Sequence, residues 1–132
     1  TGEYLASAIV DMELHTVPDA TVDAGKFERE VMARIGVPDE IVMRHRLPHF
    51  THLFSSEAYG AGYYSYLWSD TMGADAWKAF VETGNVWDSK TAERLRLILE
   101  AGDSVDQIEL YRNFRGRDPD VEALLEQRGF DS

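Results

Sequence analysis

Apolar positions recur every three or four residues along most of the chain, the pattern of amphipathic helices rather than of alternating strands. Tyr4, Leu5, Ala8, Ile9, Met12 and Leu14 define an apolar face over residues 3–16. Pro18 stops that helix, because it lacks an amide donor and clashes with the preceding turn. His15 near the helix C-terminus suits the dipole and reads as structural. Phe27, Val31 and Ile35 stand at i, i+4 and i+8 of a second helix over 21–35, with Gly36 as a cap and Pro38 beyond it. Glu28 to Met32 carry no special chemistry in this reading, and residues 39–44 fit a short turn of helix.

The pattern resumes after a denser stretch, His49 to Trp68. There Tyr59, Tyr63 and Tyr66 occupy i, i+4 and i+7, which on a helix places them along one face. From Tyr63 the helix is expected to continue through Leu67, Trp68 and Met72 to about Phe80, with Gly73 as the place where it would kink or break. Gly84 and Asn85 make a turn. Asp88 or Ser89 caps a helix to about Ala101 that turns Leu95, Ile98 and Leu99 inward. Ser104-x-x-Gln107 is a capping-box pattern before Ile108, Leu110, Tyr111 and Phe114, and Gly116 closes that helix. Asp118-Pro119 opens a last helix with proline at its first position, and Gly129 ends it. The expected fold is all-α: one helical domain over 1–132, with about six helices and short loops.

Composition narrows the function classes. The chain has 132 residues, enough for a real core, and its 44% hydrophobic content argues against disorder. A net charge of −11 disfavours nucleic acid and anionic membrane surfaces as partners. No apolar run approaches the length of a transmembrane helix, and Glu3, Asp11 and Glu13 argue against a signal peptide. The chain has no cysteine, so disulfides and thiolate metal sites are excluded, and a reducing cytoplasm fits. Lacking an initiator methionine and entering a helix almost at once, it reads as part of something longer.

The stretch His49–Trp68 holds two of the four histidines and four of the six tyrosines. Phenols can donate or accept hydrogen bonds, so a row of them beside a histidine can hold a polar substrate or steady an oxyanion. The competing reading is a helix packed by aromatic bodies, with hydroxyls at the edge of the core. His45, His49 and His52 invite a metal site. Pro48 interrupts the run, no carboxylate stands at a familiar ligand spacing, and HExxH is absent, so these three alone are not expected to form a metal site.

His52-Leu53-Phe54 followed by Tyr59-Gly60-Ala61-Gly62-Tyr63-Tyr64-Ser65-Tyr66-Leu67-Trp68 resembles the C-terminal end of the M3 zinc metallopeptidases, the thimet oligopeptidase family. Within that family it looks like the bacterial peptidyl-dipeptidases. Phe114-Arg115-Gly116-Arg117-Asp118-Pro119, Leu124-Leu125 and Arg128-Gly129-Phe130 extend the resemblance over nearly the whole chain. It implies that Tyr66 and Tyr59 donate to the oxyanion at the scissile carbonyl. It implies further that His52 contacts the bound peptide and that Tyr63 is another substrate-side tyrosine. The Gly60–Gly62 segment would be a flexible loop, with the helix starting nearer Gly62 than the periodicity suggests.

The family holds its zinc with HExxH and a downstream glutamate, and the HExxH glutamate is the general base. None of these is present here, and they would lie N-terminal to Thr1. The chain is therefore expected to be the C-terminal fragment of a catalytic domain. The parent would be a zinc-dependent peptidyl-dipeptidase acting on short peptides; the fragment would bind no zinc and be inactive alone. An oligopeptidase A-like endopeptidase and a non-catalytic helical interaction module are the alternatives. An apolar face left for missing helices, with Phe50, Phe54, Tyr63, Trp68 and the first helix as candidates, would lead the fragment to self-associate.

Overall fold

The computed structural model describes residues 1–18 and 21–130. Its described residues form six α-helices and no strand: α1 (Gly2–Leu14), α2 (Ala24–Arg34), α3 (Tyr64–Glu82), α4 (Ser89–Ala101), α5 (Gln107–Arg115) and α6 (Glu122–Gln127). The all-α expectation holds. Two compact units divide the chain, Thr1–Leu67 and Trp68–Ser132, and the boundary falls within α3.

In the first unit, Ala6, Ala8 and Val10 of α1 pack with Val31 and Met32 of α2 and with Met43, Leu47, Phe50 and Leu53 of the following segment. The buried stripe of α1 differs from the expected one. Ser7, Val10 and Asp11 are fully buried, whereas Leu5 and Met12 face outward. The stripe runs at i, i+3 and i+4 through two polar residues that a search for apolar spacing passes over. α2 starts at Ala24 rather than near 21, because Asp23 caps it by accepting the Lys26 amide at 2.9 Å. Residues 39–44 form no helix; the Ile41 amide closes a single turn on the Pro38 carbonyl.

The tyrosine stretch is the main departure. Three 3₁₀ turns occupy Leu47–His49, Thr51–Phe54 and Glu57–Tyr59, and α3 begins only at Tyr64. Tyr59, Tyr63 and Tyr66 therefore do not share a helical face. The resemblance, which put the helix start near Gly62, came closer than periodicity did. Once begun, α3 runs without a break through Gly73 to Glu82.

In the second unit, Ala79, Tyr111 and Phe114 form a buried centre with Met72, Phe80, Leu95 and Ile98 against it. A smaller cluster joins Ala74 to Ala123 and Leu124. Leu99 points outward, 74% exposed, contrary to expectation. Asp88 caps α4 by accepting the Thr91 amide. The cap of α5 is Asp106, which accepts from both Ile108 and Glu109, rather than the Ser104 of the capping-box pattern. Gly116 ends α5 in the left-handed conformation, as expected. α6 starts at Glu122, so Pro119 lies outside it. Among the described residues no helix is long and apolar enough to cross a membrane.

Candidate functional site

The stretch from Leu47 to Tyr63 closes only short turns on its own backbone, and two buried carboxylates of the first unit take the amides of Leu47, Ala61 and Tyr63. Glu28 on α2 is 3% exposed. It accepts the Leu47 amide at 2.9 Å and pairs with the Arg46 guanidinium. This corrects the reading that Glu28 carries no special chemistry. Asp11 on α1 is fully buried. One oxygen accepts the Ala61 amide at 3.1 Å and the other the Tyr63 amide at 2.8 Å. His15, one turn later, brings Nδ1 to 2.9 Å from the same carboxylate, so it is structural as expected.

Local geometry explains why glycines flank this loop. Ala61 takes a left-handed φ of 57°. That conformation costs a non-glycine residue roughly 1–2 kcal/mol, a cost the bonds to Asp11 offset. Gly60 is needed for a different reason. A Cβ there would come within 2.9 Å of the His15 ring.

These anchors gather the aromatic residues. His52 sits at the centre. Its ring centroid is 4.8 Å from that of Tyr59, 5.8 Å from Tyr63 and 5.9 Å from Tyr66. Tyr66 Oη lies 3.3 Å from His52 Nε2, either group donating according to the imidazole tautomer. Tyr63 also meets Phe50 edge-on at 5.0 Å. All four residues singled out in the sequence, His52, Tyr59, Tyr63 and Tyr66, are thus brought together. Folding of the loop does this, not a shared helix face.

His52, Tyr63 and Tyr66 line an open cleft of about 420 Å³ with Tyr4, Arg44, His45 and His49. Tyr59 packs on His52 outside that lining. In a chain of net charge −11, the cleft presents one guanidinium and three imidazoles and no carboxylate. Its chemistry suits a polar ligand that carries a negative end and carbonyl oxygens. Among the described residues no three or more His, Asp or Glu side chains are grouped to hold a metal ion.

A second buried carboxylate cluster belongs to the other unit. Asp75 on α3 has no exposed surface. It accepts from Tyr111 Oη at 2.8 Å, from Arg115 at 2.9 Å and from Arg117 at 2.6 and 3.0 Å. Arg115 also forks onto Glu82. Burial pushes the Asp75 carboxyl up, but the hydrogen bonds from Arg115, Arg117 and Tyr111 outweigh it and hold the group below its ordinary value. The Phe114–Pro119 motif is thereby explained as architecture: Phe114 is core, and Arg115 and Arg117 close on one acid.

Sequence reasoning missed Asp11 and Asp75. The available signal was a carboxylate on the stripe that buries a helix: Asp11 follows Val10 and stands one turn after Ser7, and Asp75 follows Ala74.

The chain matches peptidase family M3 over residues 3–130 and belongs to that family. It is 33% identical over 134 residues to the dipeptidyl carboxypeptidase of Salmonella typhimurium, which covers 98% of this chain and 19% of that protein. To oligopeptidase A of the same organism it is 45% identical over 86 residues, 64% of this chain and 12% of that protein. The organellar oligopeptidase A of Arabidopsis thaliana is 36% identical over 132 residues, 95% of this chain and 16% of that protein. The chain thus spans no more than 19% of the length of these relatives.

Proposed function

We propose that this chain forms the substrate-side wall of a zinc-dependent peptidyl-dipeptidase that hydrolyses short peptides. The observation that carries the reading is the convergence of His52, Tyr63 and Tyr66 on one cleft in a member of family M3. In this reading the Tyr66 and Tyr59 hydroxyls donate to the oxyanion that develops at the scissile carbonyl. Such preorganised donors act where the charge appears, so they stabilise the transition state more than the bound substrate. His52 contacts the peptide beside that carbonyl. Tyr63, 9% exposed, offers its phenol edge from a packed ring. Among the described residues no group of His, Asp or Glu is assembled to hold zinc. Its ligands would belong to other residues of a longer polypeptide, and a reducing cytoplasm suits a chain without cysteine.

The exopeptidase form is supported by the cleft itself, whose Arg44, His45 and His49 suit a free carboxylate at the peptide end. A second reading, an endopeptidase of the oligopeptidase A kind, is favoured by the 45% identity over 86 residues. Short peptides with free or amidated C-termini, given to the zinc-loaded longer polypeptide, separate the two. Release of C-terminal dipeptides, at least about tenfold faster from free acids, supports the first reading. Internal cleavage indifferent to amidation selects the second. Peptide binding without any cleavage overturns both and leaves a helical interaction module.

A further inference from the structure

We propose that Asp11 is a positioning residue for the tyrosine loop: from α1 it sets the backbone bend that brings Tyr59 and Tyr63 against His52. The functional meaning of that bend rests on the reading of these rings as substrate-side groups. The geometry does not.

A buried carboxylate is stable only when its oxygens are satisfied. Asp11 takes two of its three partners from the loop, the amides of Ala61 at 3.1 Å and Tyr63 at 2.8 Å, and the third from His15 on its own helix. Here the amides of Ala61 and Tyr63 converge on one carboxylate across a bend in the chain between them. The left-handed Ala61 supplies that bend. Tyr63 is itself one of the held residues, and from that backbone position its ring lies 5.2 Å from Tyr66 and 5.8 Å from His52. Tyr59 lies two residues before Ala61, and its ring meets His52 at 4.8 Å.

Gly60 completes the device from the other side. Its φ of −62° and ψ of 132° are open to any residue, so glycine is not required by conformation. It is required by space, because the His15 ring stands where a Cβ would be, 2.9 Å away. His15 in turn is oriented by Asp11, its Nδ1 lying 2.9 Å from both the backbone carbonyl and one carboxylate oxygen of that residue. Asp11, His15 and Gly60 therefore form one lock between α1 and the loop. Asp11 does not line the cleft, so it acts through the tyrosines and not on a ligand.

Asp11→Asn keeps the size of the side chain but replaces one acceptor with a donor facing an amide. NMR of the 132-residue chain reads the result. We expect exchange at Ala61 and Tyr63 to quicken at least about tenfold and the ring contact between His52 and Tyr59 to disappear, with α2 protection unchanged. Gly60→Ala, which keeps Asp11, should lose the same ring contact, and adding His15→Ala should restore it by making room. This second pair decides the matter if Asp11→Asn does not fold. Ring contacts that persist in Asp11→Asn and in Gly60→Ala would overturn the proposal, as would unchanged protection at Ala61 and Tyr63. In the longer polypeptide, Asp11→Asn should lower kcat about ten- to a hundredfold while KM moves by less than about threefold. An unchanged kcat alongside a lost ring contact would also overturn the positioning role. If the unaltered polypeptide cleaves no peptide, the peptidase reading falls, and the NMR result still decides what Asp11 does.

Discussion

Asp11, Glu28 and Asp75 are each buried, and each is held by a different set of partners: loop amides with a histidine, an amide with an arginine, and two arginines with a phenol. Burying a carboxylate is costly, and removing one of its partners leaves that cost uncompensated. Asp75 is the most heavily bonded of the three. Asp75→Asn should cost about 3–5 kcal/mol in urea unfolding at neutral pH, because Arg115, 6% exposed, loses part of its compensation. The sign with pH follows from the lowered folded value. Its contribution is present above the ordinary value of 3.8 and is lost as pH falls through the still lower folded value, so the gap between wild type and variant should close in that acid range. Tyr66 makes the opposite kind of prediction, since its ring is 44% exposed and only its hydroxyl is at issue. In the longer polypeptide, Tyr66→Phe should leave the fold intact and lower kcat by roughly 10²–10³ with little change in KM. A rise in KM alone would make Tyr66 a binding residue instead. No change in either would mean that its hydroxyl is incidental.

At the scale of elements, legibility tracked the physics that forms each one. α2, α4 and α5 carry ordinary amphipathic stripes and acidic caps, and their existence was readable from spacing. Their exact caps were less so. Ser104 and Gln107 matched a capping box, yet Asp106 sits closer to the first turn and takes two amides. Asp106→Ala should therefore cost about 1 kcal/mol in thermal unfolding, and Ser104→Ala no more than about 0.5 kcal/mol. Equal effects would restore the capping-box assignment. The stripe of α1 was misread because its interior positions are Ser7 and Asp11, and a polar residue's burial depends on a partner far away in sequence. The bonds from Asp11 span 50 and 52 residues. The tyrosine loop was misread for the related reason that i, i+4 and i+7 is a necessary sign of a helix face and not a sufficient one. Gly60 and Gly62 weaken helix there, and the long-range clasp supplies what an intrahelical ladder would have supplied. The residues proposed for the site, His52, Tyr59, Tyr63 and Tyr66, stand in the specific run of motif residues and were singled out from it. Their arrangement was not legible, since it depends on Asp11.

For the whole molecule, the surface decides two behaviours. Of the side chains expected on an open apolar face, Phe50 and Tyr63 are buried, 3% and 9% exposed, while Phe54 and Trp68 remain outside with Leu5 and Met12. Both of the buried pair belong to the core cluster of the first unit, within which they meet edge-on. The remaining apolar surface, set against a net charge of −11, predicts weak self-association that strengthens with salt as repulsion is screened. Sedimentation at rising protein and salt concentration should show it, and a strict monomer throughout would refute it. The last expectation concerns activity. Hydrolysis of a peptide at neutral pH needs both a means of stabilising the oxyanion and a means of activating water. Tyr66 and His52 offer hydrogen bonds at the cleft. Among the described residues, the histidines that share it, His45, His49 and His52, are not grouped three or more together, with or without a carboxylate, as a metal site. The 132-residue chain supplied with zinc should therefore leave short peptides intact, even where it binds them. Calorimetry with zinc and a chromatographic assay of peptide cleavage test the two halves separately. Tight zinc binding together with metal-dependent cleavage by the pure chain would show that a complete site can assemble from these residues. Zinc binding without cleavage would show that ligands alone are insufficient, and that what is missing is a group able to take the proton from water.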